Sequence, residues 1–298
     1  MSRSGPDLYH RSPGKATLAV AVAGVLFAAC GRSASLQGAT SAIAPAAAGG
    51  QPVSLDEVAP YFVAGEQITW EVTFLGIEGG RARLAVGAPG QVGGRRVVAV
   101  VAQAESSGIL AAVKRVRDDV SSWIDVESGI PTRTESEIEM KGKRLRVMAT
   151  RRVGKAIADL LVSRSGGAEV KREQALPSRE THDPISAILL LRSFTAPVGA
   201  RARFHTLGGL RLWRTDLVVE GKDVVEAPLG RRAALRVSGV SRRLNGAMAE
   251  DAGHKPRSFV VWLSDDAQRI PLRVVARTEY GDIEIRATSY EAPVLSRR

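Results

Sequence analysis

Short runs in which apolar and polar residues alternate recur through most of this chain. In ITWEVTF, Ile68, Trp70, Val72 and Phe74 share one side, and Thr69, Glu71 and Thr73 share the other. In RARLAV, Ala82, Leu84 and Val86 oppose Arg81 and Arg83. TRTESEIEM, LRVVARTEY and IEIRATS repeat the pattern. A period of two places successive side chains on opposite faces of a strand. Strands that are apolar on one face and polar on the other belong to antiparallel sheets with one wet side. The alternation therefore predicts a mainly β chain, with a strongly curved antiparallel sheet or an incomplete barrel. Gly79-Gly80, Gly93-Gly94, Ser128-Gly129 and Lys141-Gly142 read as turns between strands. At 44% hydrophobic residues, the chain has enough apolar material for a core.

Two segments break the alternation. SSGILAAVKRVRDD allows a short helix around Ile109–Val113. THDPISAILLLRSF is a stronger helix. Thr181 or Asp183 can cap it, Pro184 suits its first turn, and Ile185, Ile188, Leu189 and Arg192 follow at helical spacing. Its apolar face is wide, so it should be largely buried. It is expected to cover or plug an open side of the sheet, as a lid helix built on Asp183, Pro184, Ile188, Leu189 and Arg192.

The first residues carry a different signal. Arg3, Arg11 and Lys15 precede the apolar run ATLAVAVAGVLFAA, which is short for a spanning helix. The run ends in LFAAC at Cys30, the chain's sole cysteine. This resembles a bacterial lipoprotein signal, in which the cysteine becomes the lipidated first residue. Residues 1–29 are then a signal peptide and 30–57 a lipid-anchored tether of small, polar residues. A single β-rich domain is expected over 58–291, with a loose tail at 292–298. Gly31, rather than Asp, after Cys30 points to the outer membrane. The chain is thus expected to be exported, membrane-anchored and facing the periplasm.

One pattern occurs twice. SSWIDVESGIPTR holds Trp123, Pro131 and Arg133, and VVWLSDDAQRIPLR holds Trp262, Asp265, Asp266, Pro271 and Arg273. Trp and Pro are eight residues apart in the first copy and nine in the second, and Pro and Arg are two apart in both. The unit reads as a hairpin. A Trp-bearing strand enters a polar turn, and a Pro opens the returning strand where no ladder N–H is needed.

Five stretches together resemble a known family. They are GEQITWEVTFLGIEGGRARLAV (65–86), SSGILAAVKRVRDDVSSWID (106–125), HDPISAILLLR (182–192), VVEAPLGRRAALRV (224–237) and VVWLSDDAQRIPLRV (260–274). They are similar, in order, to the exported bacterial proteins grouped as domain of unknown function 3108. That resemblance implies no activity, catalytic residue or cofactor. The repeated hairpin also resembles the periplasmic lipoprotein carriers, which would imply an apolar cavity inside an incomplete barrel.

The residues themselves supply little chemistry. His182, His205 and His254 form neither HxH nor HExxH, and with Cys30 acylated no thiol is left for zinc. No nucleophile elbow, phosphate loop or dinucleotide fingerprint is present. Asp118-Asp119 and Asp265-Asp266 are adjacent pairs, so on strands their carboxylates diverge. Local pairing with Lys114, Arg115 and Arg117 accounts for the first, and an Asx turn accounts for the second. The net charge of +11 comes from scattered Arg diluted by acids, without stacking aromatics, so nucleic acid is not an expected partner. No cofactor, metal or catalytic residue is expected. The leading expectation is a non-enzymatic binding module for a lipid, lipoprotein or other hydrophobic or anionic envelope ligand. The alternative is a structural or assembly partner in an envelope complex, without a cavity. An envelope hydrolase stands third.

Overall fold

The alternating segments become the strands of one sheet. A computed structural model describes residues 52–55, 58, 60–113, 115–278 and 281–292. The signal segment, Cys30, most of the tether and nearly all of the tail lie outside the described residues. The strands are β1 (Val53–Ser54), β2 (Gln67–Phe74), β3 (Ile77–Val92), β4 (Arg95–Ser106), β5 (Val116–Asp125), β6 (Pro131–Met140), β7 (Lys143–Arg151), β8 (Ile157–Arg164), β9 (Val170–Ala175), β10 (Arg201–Gly208), β11 (Arg211–Ala227), β12 (Gly230–Leu244), β13 (Arg257–Ser264), β14 (Pro271–Thr278) and β15 (Gly281–Glu291). The helices are α1 (Gly108–Val113) and α2 (Pro184–Ser193).

The sheet order is β1-β10-β11-β12-β13-β14-β15-β2-β3-β4-β5-β6-β7-β8-β9. β15 pairs with β2, so the C-terminal meander joins the N-terminal one at the middle of the sheet. Every pairing is antiparallel except β1 with β10. The sheet does not close, since β9 and β10 are not paired with each other.

Side-chain packing holds the two ends together instead. Val147 and Ala149 of β7 and Leu160 and Val162 of β8 cluster with Leu207, Leu212 and Leu244. Register puts Ala149 on the same face as Thr134 and Ser122, which is the main core face. Leu207 and Leu212 face each other across β10 and β11, on the face opposite Phe204 and Thr215. The core face of β7–β8 therefore lies over the outer face of β10–β12, and the sheet rolls past itself. A strap fills the seam. His182 bridges Thr206 in parallel, and Arg151 of β7 donates to Thr181 O at 2.8 Å.

The free edge of β10 is thus covered by β1 and His182. β9 is exposed along its length and carries Lys171, Arg172 and Glu173, charges that discourage strand addition. β1 and Leu55, which is buried, lie within the segment expected to be tether, so pairing starts at Val53. A two-residue parallel strand leaves no periodic signal. A second difference concerns Gly79-Gly80. The turn is Leu75-Gly76, and Gly80 lies inside β3. A Cβ at Gly80 would collide with the Glu105 carbonyl of β4, so this glycine serves a close approach of strands.

The outer face absorbs much of the charge. Arg286, Glu71, Arg81, Glu105, Arg117, Glu139 and Arg144 stand opposite one another in register across β15 and β2–β7. The signs alternate along the whole row. Direct cross-strand pairs of opposite charge favour one register over its slips.

Candidate functional site

Helix α2 is the centre of the molecule. Asp183 caps it, as its sequence predicts: Oδ1 accepts from the Ser186 N–H at 2.7 Å, and Ser186 Oγ accepts from the Asp183 N–H at 2.9 Å. Pro184 sits in the first turn. Ile188 and Leu189 are buried, as is every other residue from Pro184 to Arg192. The helix joins a single core cluster with β2–β5 and β10–β15. It sits inside the roll, packed against strands of both halves of the sheet.

The start of α2 brings together Ser186, His182 and Asp183, the residue types of a hydrolytic triad. Their wiring is different. His182 Nδ1 lies 3.3 Å from Ser186 Oγ, but the Asp183 carboxylate accepts from Ser186 N–H and from the Thr134 hydroxyl at 2.6 Å. The acid therefore uses one oxygen to cap the helix and the other to hold Thr134. All three residues are buried. Burial holds Arg151 down to about 10, against the opposing effect of Asp183.

The end of α2 carries the strongest polar contact. Arg192 donates to Glu66 through two nitrogens, at 2.6 and 2.8 Å, and to the Gln268 carbonyl at 2.9 Å. Tyr61 lies under its guanidinium at 4.8 Å, and Tyr290 donates to Glu66 Oε2 at 3.3 Å. The cluster ties α2 to the segment before β2, to β15 and to the β13–β14 turn.

That turn belongs to the repeated hairpin. Register explains its spacing. Trp123 pairs with Arg133 and Ile124 with Pro131, leaving Thr132 as the extra residue of a bulge. Trp262 pairs with Arg273 and Leu263 with Pro271, leaving Leu272 in the same role. Each Arg therefore lies opposite its Trp, with the guanidinium 5.3 Å and 4.8 Å from the ring centre. Trp262 also faces Arg236 and donates to Asp223 at 2.8 Å. The backbone carbonyl of Pro271 accepts from the Trp70 indole at 2.8 Å.

The acidic pair is part of this turn. Asp266 Oδ1 accepts from Ser264 Oγ, Gln268 N–H and Arg269 N–H. Asp265 pairs with Lys222 at 2.9 Å, which lowers its pKa. Only the Asp266 carboxylate shapes the turn; that of Asp265 reaches Lys222 on β11.

Asp118 and Asp119 diverge as expected, but the expected local pairing fits only one of them. Asp119 binds Arg117 and Gln103 on the outer face. Asp118 points inward between Ala104 and Ile138, and its Oδ1 is buried without a hydrogen-bond partner. Desolvation first, and Asp119 second, push it up to about 7. The signal is the alternation itself: Val116, Val120 and Ile124 share a face of β5 with Asp118, while the nearby basic residues suggest a surface pair.

Two open depressions, of about 460 and 480 Å3, lie over β6–β9. One is lined by Glu137, Arg144, Arg146 and Ser163, and the other by Met148, Leu161 and Lys171. Neither lies between the sheet and α2. Among the described residues, no group of three metal-ligating side chains converges, and no helix is long and apolar enough to cross a membrane.

A family model described as protein of unknown function, DUF3108, matches residues 68–288. The chain belongs to this family. The matched span begins in β2 and ends in β15, so it takes in both hairpins and α2. A search of curated proteins finds no match. Among solved structures, the chain is similar to a β-barrel-like protein of domain of unknown function DUF1849 from Brucella abortus. Identity is 11%, covering 78% of this chain and 99% of that one, with a TM-score of 0.51. This is a likeness of fold. An exported protein of YmcC-like fold from Bacteroides fragilis, so described, matches at 9% identity and a TM-score of 0.34, over 78% of this chain and 99% of that one. That score is too low to inform the fold.

Proposed function

We propose that this member of the family is a non-catalytic cell-envelope domain, held by a lipid on Cys30, that works as a structural or assembly partner. One observation carries the reading: α2 is buried along its length inside the sheet. A carrier of the kind first expected would need that space for its ligand. Emptying it would expose Ile185, Ile188, Leu189, Leu190, Leu191 and Phe194, all now buried. At about 1.5–3 kcal/mol for each large apolar side chain, the cost matches the whole stability of a typical domain. The charge row on the outer face leaves a surface suited to a defined protein contact rather than to a bulk polyanion.

Native mass spectrometry of the protein gently extracted from its membrane tests the reading. The expected spectrum shows the mature chain, from Cys30 with its acyl groups, and no second ligand. A co-purifying lipid at one per chain would overturn the proposal in favour of a carrier. Replacing Cys30→Ala should remove the acyl mass from that spectrum and leave the fold unchanged.

A further inference from the structure

The β2–β3 turn consists of Leu75 and Gly76, with φ of 51° and 78°. A two-residue hairpin loop with both φ positive favours Asn or Asp before Gly, because a Cβ in the left-handed region clashes with the backbone. Leu is a costly choice there. It is also exposed: Leu75 is 63% and Ile77 56% accessible. Leu75 packs beside Gly281 of β15, where any Cβ would strike Leu75 Cδ2. The chain thus keeps an apolar tip where a polar turn would fold better, and such strain concentrates at working surfaces.

The meander gathers more at this end. α1, with the apolar sequence GILAAV, sits beside the start of β3, where Ser107 N–H donates to Gly79 O at 2.9 Å. The β4–β5 and β6–β7 connections end here too, presenting exposed Arg115, Lys141 and Lys143. These three lie beyond the alternating charge row. Against them, Glu78 is exposed at the tip, and Asp282 is engaged by Arg277 at 3.6 Å. An apolar tip with three exposed cations at the same end of the sheet, on β5–β7, complements one surface chemistry, an anionic lipid headgroup layer over an apolar interior.

We propose that this rim docks on an anionic bilayer, with Leu75 and Ile77 entering the headgroup layer and Arg115, Lys141 and Lys143 against its phosphates. The contact goes beyond the lipid on Cys30 and does not depend on it. β1 enters the sheet at the opposite end, so the rim is a second, separate membrane contact.

The test uses the mature chain, from residue 30 onward, with Cys30→Ala, which removes acylation and leaves out the apolar signal segment. An environment-sensitive dye is placed on Leu75→Cys, or on Val153→Cys in the β7–β8 turn at the opposite end. Vesicles of phosphatidylcholine mixed with phosphatidylglycerol should shift the dye at 75 to the blue and leave the dye at 153 unchanged. Lys141→Glu with Lys143→Glu should weaken vesicle binding about 25-fold or more, at about fivefold for each cation. Leu75→Asn should raise the unfolding midpoint, because Asn suits the turn, and still abolish vesicle binding. A purely structural role for Leu75 would not separate those two effects. No shift at 75, or equal shifts at both sites, overturns the proposal. So does a shift caused by phosphatidylcholine alone, or one seen only with membrane proteins present.

Discussion

Arg192 and Glu66 form a two-nitrogen, two-oxygen ion pair at 2.6 and 2.8 Å, with neither side chain exposed to solvent. Their partners are saturated by Gln268, Tyr290 and the Val63 N–H. Removing one partner leaves a buried charge, which costs about 3–5 kcal/mol. Glu66→Leu and Arg192→Met should each lower the unfolding free energy measured in urea by that amount. The double replacement Glu66→Leu with Arg192→Met should recover most of the loss, because two apolar groups can fill the same volume. If the double variant is as unstable as the sum of the two singles, the pair is not acting as a coupled unit.

The two carboxylates of the β13–β14 turn should separate cleanly. Asp266 accepts three hydrogen bonds that shape the turn, so Asp266→Ala is expected to cost about 1–2 kcal/mol. Asp265 meets only an exposed lysine, and Asp265→Ala should leave the midpoint where it was. Equal effects in urea titrations would contradict the assignment of Asp266 as the turn's acceptor.

The alternating row on the outer face predicts a salt-sensitive variant. Glu105 stands between Arg81 and Arg117. Glu105→Lys sets three like charges side by side, each pair disfavoured by roughly 0.2–1 kcal/mol. The lower midpoint should recover as salt is raised, because exposed charges are screened. Glu105→Gln, which removes charge without reversing it, should fall between the two. A loss that salt does not relieve would mean that packing, not charge, is at stake.

The sequence carried the strands well, because one wet and one dry face imposes period two on each. It also carried α2, through Asp183, Pro184 and the apolar run. The Trp–Pro–Arg spacing was visible, and its meaning is a bulge that sets Arg133 and Arg273 opposite their tryptophans. What was hidden depends on contacts between distant residues. Arg192 looks like a helix-end cation until Glu66, 126 positions away, is placed beside it. Gly79-Gly80 has the composition of a turn, and only the register of β4 shows that Gly80 serves close strand approach. The rolling of β7–β8 over β10–β12 leaves no local signature, because the partners of Leu207 and Leu212 lie on β7 and β8, far along the chain.

Asp118 gives the chain a pH dependence of its own. Its folded pKa, about 7, lies above the ordinary carboxylate value of 3.8. Below the unfolded value both states hold the proton, and burial costs nothing extra. Between the two values the folded state keeps a proton that the unfolded state has released, so stability falls as pH rises. Above about 7 the folded state carries a buried charge, and the loss is complete, on the order of a few kcal/mol. Asp118→Asn removes the charge in both states. The variant should match the parent at pH 4 and exceed it increasingly toward pH 8, in urea midpoints measured side by side. The difference between the two proteins isolates this residue from every other titrating group. A constant gap across that range would show that Asp118 does not titrate within it, and that its carboxylate has found a partner in solution.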